Sequence, residues 1–193
     1  MIITKANSTE IVSGAIGASR KMHDALQGGG VFSIQCFDRD GNLKWEDSSP
    51  NLVVNVGLQD MNTQYFTGSG YTATWYIGLY GASATNDPAP SDTAASHAGW
   101  VEVTDYSQST RPACSFGTAT TADPSVISNT LSPAAFSINA SVTVGGAFLI
   151  SNNTKGGSTG ILFSAADFAT PGDRLVVSGD TVNVTYTFSL DAA

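Results

Sequence analysis

A chain of 193 residues suits one domain, or one domain with an appendage, and is long enough to bury a sizeable core. Its formal net charge of −8, from eight scattered Lys and Arg against sixteen Asp and Glu, argues against a nucleic-acid partner, because phosphate binding needs clustered cations. No apolar run approaches the roughly eighteen residues of a membrane span, so no membrane partner is expected either.

Charged residues make up only 12% of the chain, and Ser, Thr, Asn and Gly supply most of its polar surface. Short polar side chains compete with the helix backbone for hydrogen bonds, so this composition favours strands and turns. Met1 to Glu10 has no apolar core of signal-peptide length, which leads to the expectation of a chain made and kept in a cytosol until an assembly step. Cys36 and Cys114 then read as two small buried hydrophobes rather than a disulfide.

Met1 to Gly30 differs in composition from the rest of the chain. It is rich in Ala, Ser and Gly, and Ile11, Ala15, Ala18, Met22 and Leu26 recur at helical spacing. Gly14 and Gly17 weaken such a helix by about 1 kcal/mol each. Residues 1–30 are therefore expected to form an extended arm that orders on a neighbouring subunit, with a frayed tail as the alternative, and residues 31–193 a β-sandwich domain.

Val31 to Phe37 alternates, with Phe32, Ile34 and Cys36 on one face, and Leu43 to Glu46 returns with Leu43 and Trp45 inward. Asp38 to Asn42 between them holds an Asp-Gly hairpin turn. Asp38, Asp40 and Asn42 also match the first ligand positions of a calcium loop, but the glycine and closing glutamate of that loop are missing, and the hairpin is preferred. Asn55 is expected to cap a short helix reaching about Tyr65, with Leu58, Met61 and Tyr65 buried.

Thr74 to Tyr80 reads as a strand with Trp75, Ile77 and Leu79 on one side and Tyr76 and Tyr80 on the other, which calls for cover on both faces. Gly81 to Gly99 is a long loop, expected to be functional or mobile. Shorter strands are expected at Trp100 to Val103, Arg111 to Phe116 and Val126 to Ser128. Ala135 to Val144 alternates strictly and reads as one long strand, followed by a Gly145-Gly146 kink or bulge and a strand from Ala147 to Ser151. Ile161 to Ser164, Leu175 to Val177 and Thr181 to Leu190 complete the set, the last with Val182, Val184, Tyr186, Phe188 and Leu190 on one face. The expected architecture is all-β, a β-sandwich or jelly-roll-like fold with one short helix. Phe148 and Ile150 are expected among the cover for the long amphipathic strands.

The search for chemistry assigns no catalytic, cofactor-binding or metal residue. The histidines, His23 and His97, stand without a nucleophile context, and neither zinc spacing nor a phosphate loop occurs. Glu46 with Asp47 and Glu102 with Asp105 are the candidate carboxylate pairs for glycoside hydrolysis. Trp100, Tyr71, Tyr106 and the Trp75–Tyr76 pair are the candidate aromatics for carbohydrate binding.

Seven segments carry recognisable packing motifs: Asn51 to Leu58, Thr74 to Tyr80, Tyr106 with Arg111-Pro112-Ala113, Phe136 to Ala140, Gly146 to Ser151, Gly156 to Ser164 and Gly179 to Tyr186. Together they resemble a group of small β-rich structural proteins of tailed bacteriophages. The likeness spans about residues 31–190, rests on packing motifs and carries over no catalytic residue. It implies a non-enzymatic virion component, made in the host cytoplasm, that decorates the capsid or belongs to the head–tail or fibre apparatus. Its partners would be other virion proteins and further copies of itself. A glycan-binding adhesion module is the alternative expectation, and it requires exposed, coplanar aromatics near the 81–99 loop.

Overall fold

A computed structural model describes residues 26–68, 74–81, 87–168 and 172–192. Twelve strands and one helix lie among the described residues. In chain order they are β1 (Leu26–Phe37), β2 (Leu43–Pro50), β3 (Leu52–Val53), α1 (Asn55–Thr67), β4 (Trp75–Gly81), β5 (Glu102–Val103), β6 (Ala113–Cys114), β7 (Ser125–Ser128), β8 (Ala134–Ser137), β9 (Val142–Ile150), β10 (Leu162–Asp167), β11 (Arg174–Val176) and β12 (Thr181–Ala192).

They form two antiparallel sheets packed face to face, the sandwich that the alternation predicts. The first runs β2-β1-β12, with β7 and β8 pairing successive parts of the far side of β12. The second runs β3-β10-β9-β4-β5, with β11 on β9 and β6 on β4. β12 is the spine of the first sheet: it pairs β1 along twelve residues, from Leu26 opposite Ala192 to Phe37 opposite Thr181.

The period-two faces hold. Phe32, Ile34, Cys36, Val182, Val184 and Tyr186 are buried from the first sheet and meet Ile77, Leu79, Val144, Ala147 and Leu149 of the second. Each large side chain so buried contributes about 1.5–3 kcal/mol by leaving water. The second sheet is covered on its outer face too, as aromatics on both sides of β4 require. There Tyr80, Phe148, Ile150, Leu162 and Ala165 pack beneath Val54, Ala94 and Trp100. Gly78 makes this layer possible, because a Cβ on it would sit 2.1 Å from the Phe148 ring.

Several expectations need correction. Ala135 to Val144 is not one strand. β8 lies in the first sheet and β9 in the second, and the chain changes sheets across Ile138–Ser141. Ile138 N–H donates to the Asp180 carbonyl and Asn139 N–H to the Asp105 carbonyl, so the crossover stays hydrogen-bonded and its alternation is unbroken. Phe148 and Ile150 face the outer layer, and Ala147 and Leu149 take the place expected of them in the inter-sheet core. Gly145 is the extra residue of a bulge against the Tyr80–Gly81 step, which agrees with the expected kink.

Leu43 is half exposed, at 50%. The β1–β2 register skips Lys44, which moves Leu43 to the outward face beside Phe37 and leaves Trp45 as the inward residue. Asn55 is the first helical residue and not the cap; Val54 precedes it in extended conformation, with no side-chain cap. On α1 only Gly57 is fully buried, because its Cα sits against the Phe163 backbone, where a Cβ would approach the carbonyl oxygen to 2.4 Å. Leu58 and Tyr65 are exposed, at 48% and 84%. The expected Trp100–Val103 and Arg111–Phe116 strands shrink to the two residues each of β5 and β6. β1 begins at Leu26, so Gly28, Gly29 and Gly30 belong to the sheet and not to an arm. The arm expectation for residues 1–25 lies outside the described residues.

Candidate interaction surfaces

The described residues singled out for chemistry serve mainly to hold the sandwich together. Arg111 is 2% exposed and donates through Nε and Nη2 to the two oxygens of Glu102, at 2.9 and 2.7 Å. The same guanidinium donates to the carbonyls of Asn152 and Gly157, and its carbon lies 5.4 Å from the Phe148 ring centroid. Gly156 N–H adds a further bond to Glu102 Oε2. Glu102 and Arg111 therefore fasten the Gly- and Asn-rich tip between β9 and β10 onto the sheet. Neither carboxylate oxygen of Glu102 is left free for acid–base work. In the other candidate pair, Asp47 is held at 2.7 Å by Arg174, and Glu46 accepts from Gln35 at the surface.

Buried Asp180 accepts from Lys44 Nζ at 2.5 Å and from Val177 N–H, tying β2 to the turn before β12. At the β1–β2 turn, Asp38 Oδ1 accepts from the N–H groups of Asp40 and Asn42, and Gly41 takes φ 83°. This is the hairpin turn, with N–H donors directed at the carboxylate that a cation would need. The Asn42 side chain, and then its backbone N–H, hold the Asp38 carboxyl below the usual carboxylate range.

The aromatics expected to form a carbohydrate platform are mostly inside. Trp100 is 3% exposed, stacks on His97 with ring centroids 3.9 Å apart, and donates its indole N–H to Asp92 at 3.0 Å. His97 Nδ1 is 2.8 Å from the Trp100 carbonyl. The described part of the long loop, Asp87 to Gly99, is thus a cover for the outer face of the second sheet. Tyr106 is fully buried against Phe136, and Trp75 and Tyr76 are half-buried; Tyr71 lies outside the described residues. Burial pushes the Cys36 thiol up to about 11, with help from the Asp180 charge, and the Cys114 thiol up to about 12. Neither is poised as a nucleophile. Tyr80 donates to Asp167 at 3.0 Å, and burial, followed by the charges of Asp87 and Asp173, raises the Asp167 carboxyl.

Two surfaces among the described residues stand apart from this packing. One is a polar trough of about 560 Å3 on the outer face of the first sheet. Its floor is Ser33, Gln35, Asn183, Thr185 and Thr187, and Thr130 with Pro133 and Glu46 to Ser48 form its sides. The alternation of β1 and β12 predicts this face directly. The other is an apolar cavity of about 520 Å3 at one end of the sandwich, between the sheets and α1, lined by Met61, Trp75, Phe116, Ile127, Phe163 and Phe188 among others. Sequence reasoning missed it. The available clue was Gly28 and Gly30, which fall on the inward face of β1 where core side chains are expected. No protein family, curated protein or solved structure was found to match this chain.

Proposed function

We propose that the chain is a non-enzymatic structural subunit of a tailed-phage particle, which acts by packing against further copies of itself and other virion proteins. What carries the reading is where the phage-like segments fall. Asn51 to Leu58 holds Gly57, packed on Phe163, and Thr74 to Tyr80 holds Gly78, packed on Phe148. Arg111 belongs to the buried clamp, and the Gly146–Ser151 segment contributes the doubly covered half of β9, up to Ile150. The likeness thus lies in what shapes a packing unit. Glu102, Asp47, His97 and both thiols are engaged in that packing or buried by it.

The contact face in this reading is the trough on the first sheet. Its Ser, Gln, Asn and Thr floor can be buried against another chain at lower desolvation cost than a charged one. The test is mass spectrometry of gradient-purified particles from a lysate that contains the chain, followed by immunogold labelling. The expected result is a fixed copy number per particle and label on the particle surface. A chain that stays in the soluble fraction and is missing from particles overturns the proposal.

A further inference from the structure

Both sheets and α1 contribute to the walls of the apolar cavity. β7 and β12 supply Ile127 and Phe188, β4 and β10 supply Trp75 and Phe163, and the helix supplies Met61 and Gln64. The rings of these walls brace one another. Phe163 meets Trp75 edge-on and Phe188 likewise, with centroids 5.5 and 5.6 Å apart, and Phe116 meets Tyr186 edge-on at 6.1 Å. The space of about 520 Å3 is therefore preformed, and it falls within the roughly 300–1,000 Å3 of sites that take drug-sized molecules. Tyr65, 84% exposed, also lines it and stands at its opening, so the space is reachable from solvent.

One polar atom of the wall has no partner. Gln64 donates through Nε2 to Asp60 Oδ1 at 3.2 Å, and this fixes which way its amide faces, because the reverse would set oxygen against oxygen. Gln64 Oε1 is then buried without a hydrogen bond, the one such atom on the wall among the described residues. The Tyr186 hydroxyl, by contrast, is engaged: Asn51 Nδ2 donates to it at 2.8 Å.

We infer that the cavity binds a small, largely apolar molecule with one neutral hydrogen-bond donor, an alcohol or a phenol being the simplest, and that this donor bonds to Gln64 Oε1. The wall dictates the class: apolar surface for the body of the ligand, one unmet acceptor for its tip. A buried acceptor left without a donor is costly, so a ligand that brings one gains more than its apolar area alone.

Other occupants fit the wall less well. Water needs about two to four polar partners, and space walled by aliphatic and aromatic side chains stays dry. A carboxylate meets Asp60 on the wall and no Lys or Arg to offset it. An inserted peptide brings a backbone donor and acceptor at every residue, and a single unmet acceptor serves only one of them. The inference concerns the free protein and stands whether or not the virion reading holds.

The test is isothermal titration calorimetry of the full chain with octanol, heptyl methyl ether and octanoate. The ether matches the alcohol in size but has no donor, and octanoate replaces the hydroxyl by a charge. Octanol is expected to bind saturably at one site, the ether about fivefold to tenfold more weakly, and octanoate not measurably. Gln64→Leu is expected to bind alcohol and ether alike, with circular dichroism as the control for folding. Absence of saturable octanol binding overturns the inference, as does equal affinity of the unmodified chain for alcohol and ether, or for alcohol and octanoate. A preference for the alcohol that persists in folded Gln64→Leu overturns it too, because the donor then goes elsewhere. Should that variant not fold, the three probes on the unmodified chain decide by themselves.

Discussion

Removing the Arg111 guanidinium leaves Glu102 buried without its partner and frees two carbonyls of the tip loop at the same time. An uncompensated buried charge costs about 3–5 kcal/mol, so Arg111→Met is expected to lower the urea midpoint by that equivalent. Arg111→Met combined with Glu102→Leu should recover much of the loss, because both charges are then gone; a double variant no better than the single one would refute this account. The thiols make a second prediction at this scale. Folding raises both above their ordinary value of 9.0, so the folded state holds the proton more tightly. The associated stability is complete below pH 9 and is lost as pH rises toward about 11 and 12. Native protein at pH 8 should resist thiol-labelling reagents and take up two equivalents on denaturation. Cys114→Val should reduce, but not abolish, the alkaline loss of stability, since burial raises Tyr80, Tyr106 and Tyr186 in the same direction.

The Asp87–Gly99 segment and α1 show how cover is apportioned among elements. The loop places Ala94 and Trp100 on the outer face of the second sheet, and Asp92 fixes the indole. Trp100→Ala should therefore behave as a core deletion, costing about 3–5 kcal/mol, measured by chemical denaturation. The end of α1 does the opposite. Tyr65 and Phe66 are 84% and 76% exposed and stack edge-on against each other, with ring centroids 4.9 Å apart. Replacing Phe66 by Ser should change stability by no more than about 0.5 kcal/mol. If the two substitutions cost the same, the loop is not the cover described.

The two sheets differ in what they show the solvent. The second is clothed on both sides, whereas the first presents the uncharged floor of the trough. In the proposed particle subunit that trough is the contact between copies. Light scattering should then give a mass above one chain for the unmodified protein, and a single-chain mass after Ser33→Arg with Thr185→Arg, with little change in unfolding midpoint. A single-chain mass for the unmodified protein at high concentration would remove the support for contact between copies.

Alternation in β1, β4 and β12 was enough to assign faces, because side-chain direction in a strand depends only on the local backbone. The Asp-Gly turn and the Gly145 bulge were legible for the same reason: each is a preference of a few adjacent residues. Pairing is a different kind of fact. Ile138 to Ser141 keeps the period of two while the chain passes from one sheet to the other, so nothing local marks the crossing. The partner of Glu102, the burial of Trp100 and the half-exposure of Leu43 also depend on what distant segments bring to the same place. The end cavity, and the inward glycines that border it, took on meaning only when β1 lay beside β12 and α1 left that end of the sandwich open.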